Sequence, residues 1–314
     1  MQRSSFFFLH MSPFSKFLFL IMIVFSSFLT VFLIGFLIGL PFFGTDFLTQ
    51  SGEINYEDPS TLAMLKYFQI ISQIGFFIVP AFLFAYLMEG RPSEYLFLKR
   101  KTAMLSLLLV ACLVLFSMPL ISWLIEINEA MHLPAFMKKT EAWMKESEEQ
   151  TGLLTEAFLN TSSWGGFAVN ILMIALIPAI GEELLFRGIL VRLFREWTRN
   201  IHWAVIISAI LFSSMHLQFY GFLPRLVLGL ILGYLFVWSA RLWVAVWAHF
   251  VNNIAAVIAA FLYAKGWSDY DFNQPGNAPK FWEILLSALL TGVLLWIIFR
   301  HFLSERAKKR ELHD

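Results

Sequence analysis

Ile180-Gly181-Glu182-Glu183-Leu184-Leu185-Phe186-Arg187-Gly188 puts two adjacent carboxylates and an arginine inside a long apolar run. Ionised side chains in the hydrocarbon of a bilayer are costly, so such a group marks a functional site or a tightly paired structural one. On a helix, neighbouring residues point about 100° apart, so the two glutamates serve different purposes. Glu183 and Arg187 are four residues apart, acid first, which favours an ion pair along one face. At low dielectric that pair offsets its own desolvation better than either member alone. Glu182 has no such partner on its own helix. A lone buried carboxylate fits a general base or acid, or a metal ligand.

The apolar run around this stretch covers about 165–190, and seven others accompany it: about 17–40, 66–88, 103–125, 202–218, 222–240, 242–264 and 281–303. Crossing roughly 30 Å of hydrocarbon takes about 20 helical residues. Apolar residues make up 59% of the chain and charged residues 14%, with a mean hydropathy of +0.70; a soluble domain carries about 25% charged residues. The expected fold is all-α: a polytopic membrane helical bundle of about eight transmembrane helices, one membrane domain over 1–314. The first run exceeds the roughly 7–15 residues of a signal-peptide core and lacks a small-residue cleavage site, so it reads as a retained span. Cys112 has no partner for a disulfide and fits no zinc-thiolate pattern.

The net charge of +1 points to no nucleic-acid partner; the placement of the charges is more informative. Arg3 and Lys16 precede the first span. Arg91, Lys99, Arg100 and Lys101 follow the second, Arg192, Arg195 and Arg199 the fourth, and Arg241 the sixth. Arg300, Arg306, Lys308, Lys309 and Arg310 close the chain. With eight spans and both termini cytoplasmic, each group falls on the cytoplasmic side, where Lys and Arg are enriched. The expected location is the cell membrane, as a multi-pass protein. The opposite loops are acidic or mixed (Asp46, Glu53, Glu57, Asp58; Asp269, Asp271). Arg225 and the lysines of the third outer loop are exceptions. That loop, 127–163, reads as an extramembrane amphipathic helix with Phe136, Trp143, Gln150, Leu154 and Phe158 on its apolar face. Gly35-x-x-x-Gly39 and Gly229-x-x-x-Gly233 are spacings that allow close helix contact.

Two of seven histidines, His216 and His249, fall well inside predicted spans; His249 is followed at i+4 by Asn253. Measured from Arg192, His202 and Arg241 at 1.5 Å per residue, Glu182 lies about 15 Å deep, His216 about 21 Å, and His249 and Asn253 about 12 and 18 Å. Allowing for tilt, these depths overlap, so Glu182, His216, His249 and Asn253 can share one cavity. Pro178 weakens the helix one turn before Glu182. Glu and His beside a water make a base for hydrolysis, with a second His and an Asn as oxyanion donors. Glu182, His216 and His249 equally make a two-His-one-carboxylate set for zinc with an open position. A proton-coupled transporter would also use intramembrane Glu and His, but it predicts inverted internal symmetry, of which the sequence has none.

Glu182-Glu183-x-x-x-Arg187, Phe212-x-x-x-His216 and His249-x-x-x-Asn253, in this order on successive spans, resemble the CPBP family (CAAX protease and bacteriocin-processing, also called Abi). The resemblance covers about 165–260, which it marks as the catalytic core. It implies an eight-helix intramembrane endopeptidase, related to the type II CAAX prenyl endopeptidases, acting on a membrane peptide or protein, including lipid-anchored ones. It further implies water activation by Glu182 and His216, oxyanion contacts from His249 and Asn253, and support from Glu183 and Arg187. Members are described both as metalloproteases and as glutamic proteases, so zinc stays open. A non-catalytic immunity or scaffold protein of the same fold is the alternative; the intact set of four argues against it.

Overall fold

The computed structural model describes residues 7–45, 55–269 and 279–311. Arg3, Asp46, Glu53 and Asp271 lie outside the described residues, as do the side chains of Lys308, Lys309 and Arg310. Apart from short turns, the described chain is carried by α1 (Pro13–Phe43), α2 (Pro59–Glu89), α3 (Met104–Glu129), α4 (Lys138–Leu159), α5 (Trp164–Thr198), α6 (Ile201–Ser214), α7 (Phe222–Ser239), α8 (Leu242–Ala264) and α9 (Phe281–Glu311). No strand occurs among the described residues.

Seven of these helices are long and apolar enough to cross a membrane. Their outer faces carry exposed apolar side chains, such as Phe25, Leu29 and Leu33 on α1 and Leu285, Leu289 and Trp296 on α9. In water such continuous patches would be unfavourable; in lipid they are the solvent-facing surface. The protein is an all-α, multi-pass integral membrane protein. α5 is the central helix: 61% of its apolar window is buried, against 17% for α9.

The fifth predicted span differs from expectation. α6 is apolar, but its 14 residues rise only about 21 Å, short of roughly 30 Å of hydrocarbon. It ends at Ser214, and the chain turns through His216 and Leu217, whose φ is 52°. His216 therefore sits in the turn that closes a short helix, not within a spanning one.

Both small-residue spacings lie at helix contacts. A Cβ on Gly35 would come 2.6 Å from Ile71 of α2, and one on Gly233 would come 2.7 Å from Val205 of α6. The predicted basic groups collect at one end of the bundle through explicit links. Lys16 pairs with Glu196 at 2.8 Å, Arg192 with Glu89, and Arg241 with Glu305 at 2.6 Å. Arg100 donates to the Ala240 carbonyl at 3.2 Å. At the opposite end Asp58 caps α2, accepting from the Thr61 N–H and the Ser60 and Thr61 hydroxyls. Those bonds hold its carboxyl down at about 2.

The segment expected to be amphipathic forms α4, and the residues expected on its apolar face divide between two sides. Met144, Ser147, Thr151, Leu154 and Phe158 face in, at helical spacing, whereas Phe136, Trp143 and Gln150 are exposed. Leu154 and Phe158 were read correctly. Lys66 of α2 anchors the end of α4 by donating to the Phe158 carbonyl and to Asn170, each at 3.0 Å.

Candidate active site

The site forms where α5, the turn after α6 and α8 meet beneath α4. Pro178 has no N–H to return to the carbonyl of Ile174 four residues earlier. α5 accommodates it with wide π-type turns at Ile171–Leu176 and Leu184–Leu190, on either side of an α-helical turn that carries both glutamates. Such bulges leave backbone groups available and recur at functional sites. Here the Ile174 carbonyl accepts from Asn253 Nδ2 at 3.1 Å, so the irregularity in α5 positions a side chain of α8.

Glu182, His216, His249 and Asn253 all line one cavity of about 380 Å³. Glu182 and His216 also share a second, of about 300 Å³, with Gln73 on both walls. The overlap in depth expected from the sequence is thus met, although His216 reaches the cavity from a turn. Glu182 is 5% exposed, and its Oε2 has no hydrogen-bond partner among the described residues. The nearest basic atom to it is His249 Nε2, at 3.9 Å. Glu183, fully buried, accepts from Arg187 Nη1 at 2.7 Å and from His249 Nδ1 at 2.9 Å. Arg187 is also held by the Gly229 carbonyl at 2.9 Å and lies 4.7 Å over the Phe212 ring.

The hydrogen bonds fix the imidazoles. His216 Nδ1 donates to the Phe212 carbonyl at 2.9 Å, because a carbonyl can only accept. By the same reasoning, His249 Nδ1–H donates to the Glu183 carboxylate. Each ring keeps Nε2 for the cavity. Phe212 packs edge-on against both imidazoles, so it braces the pair from behind.

Sequence reasoning missed several of these relations. The bond from Glu183 to His249 makes Glu183 more than the partner of Arg187. Gln69 and Gln73, an i,i+4 pair of amides on α2, line the cavity; two glutamines inside an apolar span were the available signal. Thr151, Leu154, Thr155 and Phe158 of α4 close it from above. Asn252 lines it beside Asn253 and donates to it at 3.0 Å.

Zinc was considered for Glu182, His216 and His249. Both imidazoles have the tied-off Nδ1 usual for metal-binding histidines. However, among the described residues no three His, Cys, Asp or Glu side chains approach closely enough to hold a metal ion. The set as arranged does not make a three-ligand site.

Residues 164–255 match the family model of the Rce1-like type II CAAX prenyl endopeptidases. Over this segment the chain is similar to the CAAX proteases. The matched segment contains every residue of the three motifs and most of the helices that form the cavity. A protein of Bacillus subtilis (strain 168), named "Putative membrane peptidase YdiL", is 30% identical over 88 residues, 28% of this chain and 36% of that protein. The chain thus spans about a third of the length of that curated relative. No solved structure gives a significant match.

Proposed function

We propose that the protein is an intramembrane endopeptidase, hydrolysing a peptide bond in a membrane-embedded or membrane-associated peptide. The observation that carries this reading is the buried Glu182 carboxylate, whose Oε2 has no hydrogen-bond partner among the described residues, in one cavity with His216, His249 and Asn253. A carboxylate buried without a close partner costs stability, so its presence marks function.

In the proposed reaction a water lies between Glu182 and His216 Nε2 and gives up a proton as its oxygen attacks the scissile carbonyl. Asn253 has a second Nδ2 hydrogen beyond the one given to Ile174, and it donates to the developing oxyanion. His249 contributes from Nε2 in the doubly protonated ring, since Nδ1–H is committed to Glu183. The C–N bond then breaks, and the proton taken from water passes to the departing amine. No step is routed through a metal. Glu183 and Arg187 are positioning residues in this scheme.

Glu182→Gln should lower cleavage of a membrane-anchored reporter by about 10²–10⁴-fold, the usual worth of a positioned general base. It should leave the thermal midpoint in detergent close to that of the wild type, because Oε2 has no hydrogen bond to lose and the nearest cation, His249 Nε2, stands 3.9 Å away. Cleavage at the wild-type rate by a folded Glu182→Gln protein would refute the mechanism.

A further inference from the structure

Arg225 fits neither the charge pattern of the loops nor the hydrolytic set. It lies in the first turn of α7, at the end of the bundle opposite the basic cluster. Its side chain folds back over Gly221, where a Cβ would meet Nη1 at 2.2 Å. It donates to the Gln218 carbonyl at 3.3 Å and to the Gln218 side-chain oxygen. Both partners are neutral. Among the described residues, no carboxylate oxygen lies within 4.0 Å of the guanidinium. The other arginines that are not exposed each have one: Arg187 has Glu183, Arg192 has Glu89 and Arg241 has Glu305.

The place of this cation matters. Arg225, Leu228 and Asn252 line the cavity that holds Glu182, His216 and His249. They also line an adjoining cavity of about 580 Å³ walled by α3, α7 and α8. The guanidinium therefore stands where the two meet. The turn beneath it is fixed: Asn128 donates to the Phe219 carbonyl at 2.9 Å and accepts from the Leu223 N–H at 2.7 Å, and Glu148 accepts from the Tyr220 N–H at 2.9 Å. A charge removed from water needs a counter-charge. Here the fold supplies only neutral oxygens at close range, and leaves space beside them.

We propose that Arg225 is a specificity-determining residue that binds a carboxylate of the peptide substrate, an inference that rests on the endopeptidase reading above. A guanidinium suits a carboxylate because its fork matches the two oxygens. Glu182 lines the first cavity with Arg225, and Glu129 and Glu148 line the adjoining one, a charge balance that favours a singly charged anion over a phosphate. The first cavity, at about 380 Å³, is about 9 Å across if taken as a sphere. That corresponds to two or three residues of extended chain at about 3.3 Å each. The bound carboxylate then belongs to a residue that close to the scissile bond, either as the chain's C-terminus or as an acidic side chain.

The test uses lipid-anchored fluorogenic peptide pools, randomised with neutral residues over the last four positions. One pool ends in a free acid and one in an amide; a third is amidated but carries one Asp or Glu among the four. Rates are read with wild-type protein, Arg225→Gln and Glu182→Gln. The wild type should cleave at least one carboxylate-bearing pool about tenfold faster than the neutral amide, mainly through KM, and in Arg225→Gln that ratio should fall to near one. The ratio does not depend on how much variant protein folds. Preference for the first pool assigns the C-terminus, and preference for the third assigns a side chain. Glu182-dependent cleavage with equal rates for all three pools, or a ratio that survives in Arg225→Gln, overturns the carboxylate role alone. Absence of Glu182-dependent cleavage from every pool refutes the endopeptidase reading, and this inference with it.

Discussion

Replacing Glu183 by Gln separates two roles that meet in one carboxylate. The side chain is fully buried and accepts from Arg187 Nη1 at 2.7 Å and His249 Nδ1 at 2.9 Å. Gln keeps the shape but removes the charge, leaving Arg187, 1% exposed, without a counter-ion. Breaking a buried pair from one side costs about 3–5 kcal/mol. At about 2–4 °C per kcal/mol for chains of a few hundred residues, the midpoint should fall by roughly 6–20 °C. The double variant Glu183→Gln/Arg187→Met removes both charges. It still loses the bond to the Gly229 carbonyl, at about 1–3 kcal/mol, but should be more stable than the single variant. Its cleavage should stay low, because His249 Nδ1 no longer meets a carboxylate. Thermal unfolding in detergent and reporter cleavage, measured on the same preparations, read the two roles. A double variant that cleaves at the wild-type rate refutes the positioning of His249 by Glu183. A single variant with an unchanged midpoint refutes the structural pair.

Asn253→Ala should slow cleavage by about 10²-fold, as for loss of one oxyanion donor, and should lower the midpoint less than Glu183→Gln does; wild-type kinetics would remove Asn253 from the mechanism. Gly233→Leu should destabilise the bundle by about 1–3 kcal/mol, since its Cβ would start 2.7 Å from Val205; an unchanged unfolding midpoint would mean that α6 and α7 tolerate separation there. Because no three metal-ligating side chains converge among the described residues, elemental analysis of purified protein should find less than stoichiometric zinc, and chelation should move neither midpoint nor cleavage. Loss of both on chelation, with recovery on zinc addition, would establish the metal reading instead.

The spans were legible because hydrocarbon imposes one rule everywhere: about twenty apolar residues, with the basic groups gathered at alternate ends. The links among Lys16, Glu89, Arg100, Arg192, Glu196, Arg241 and Glu305 agree with that alternation. α6 broke the rule because 202–218 carries no Asp, Glu, Lys or Arg, and composition does not reveal that the chain turns at Met215 and His216. On α4 the apolar residues divide between two sides: Phe136 and Trp143 stay exposed, whereas the inward face includes the smaller Ser147 and Thr151, of which Thr151 lines the cavity.

Of the site, the i,i+4 pair and the meeting of Glu182, His216, His249 and Asn253 in one cavity were readable, and the bonds between helices were not. Glu183 and Arg187 share a face of α5 at i,i+4, and the structure joins them. The bond from Glu183 to His249 crosses 66 positions of sequence and exists because α8 packs on the turn of α5 between two π-type segments. Nothing in either helix's own pattern encodes it. Splitting the two glutamates into one for the fold and one for the chemistry is therefore too clean. Glu182 Oε2 has no hydrogen-bond partner among the described residues and faces the cavity, but the imidazole nearest to it is held in place by Glu183. A substitution at either carboxylate should reach the reaction, the first through the water and the second through the ring. Only the second should also move the unfolding midpoint, and that difference is what distinguishes them in an experiment.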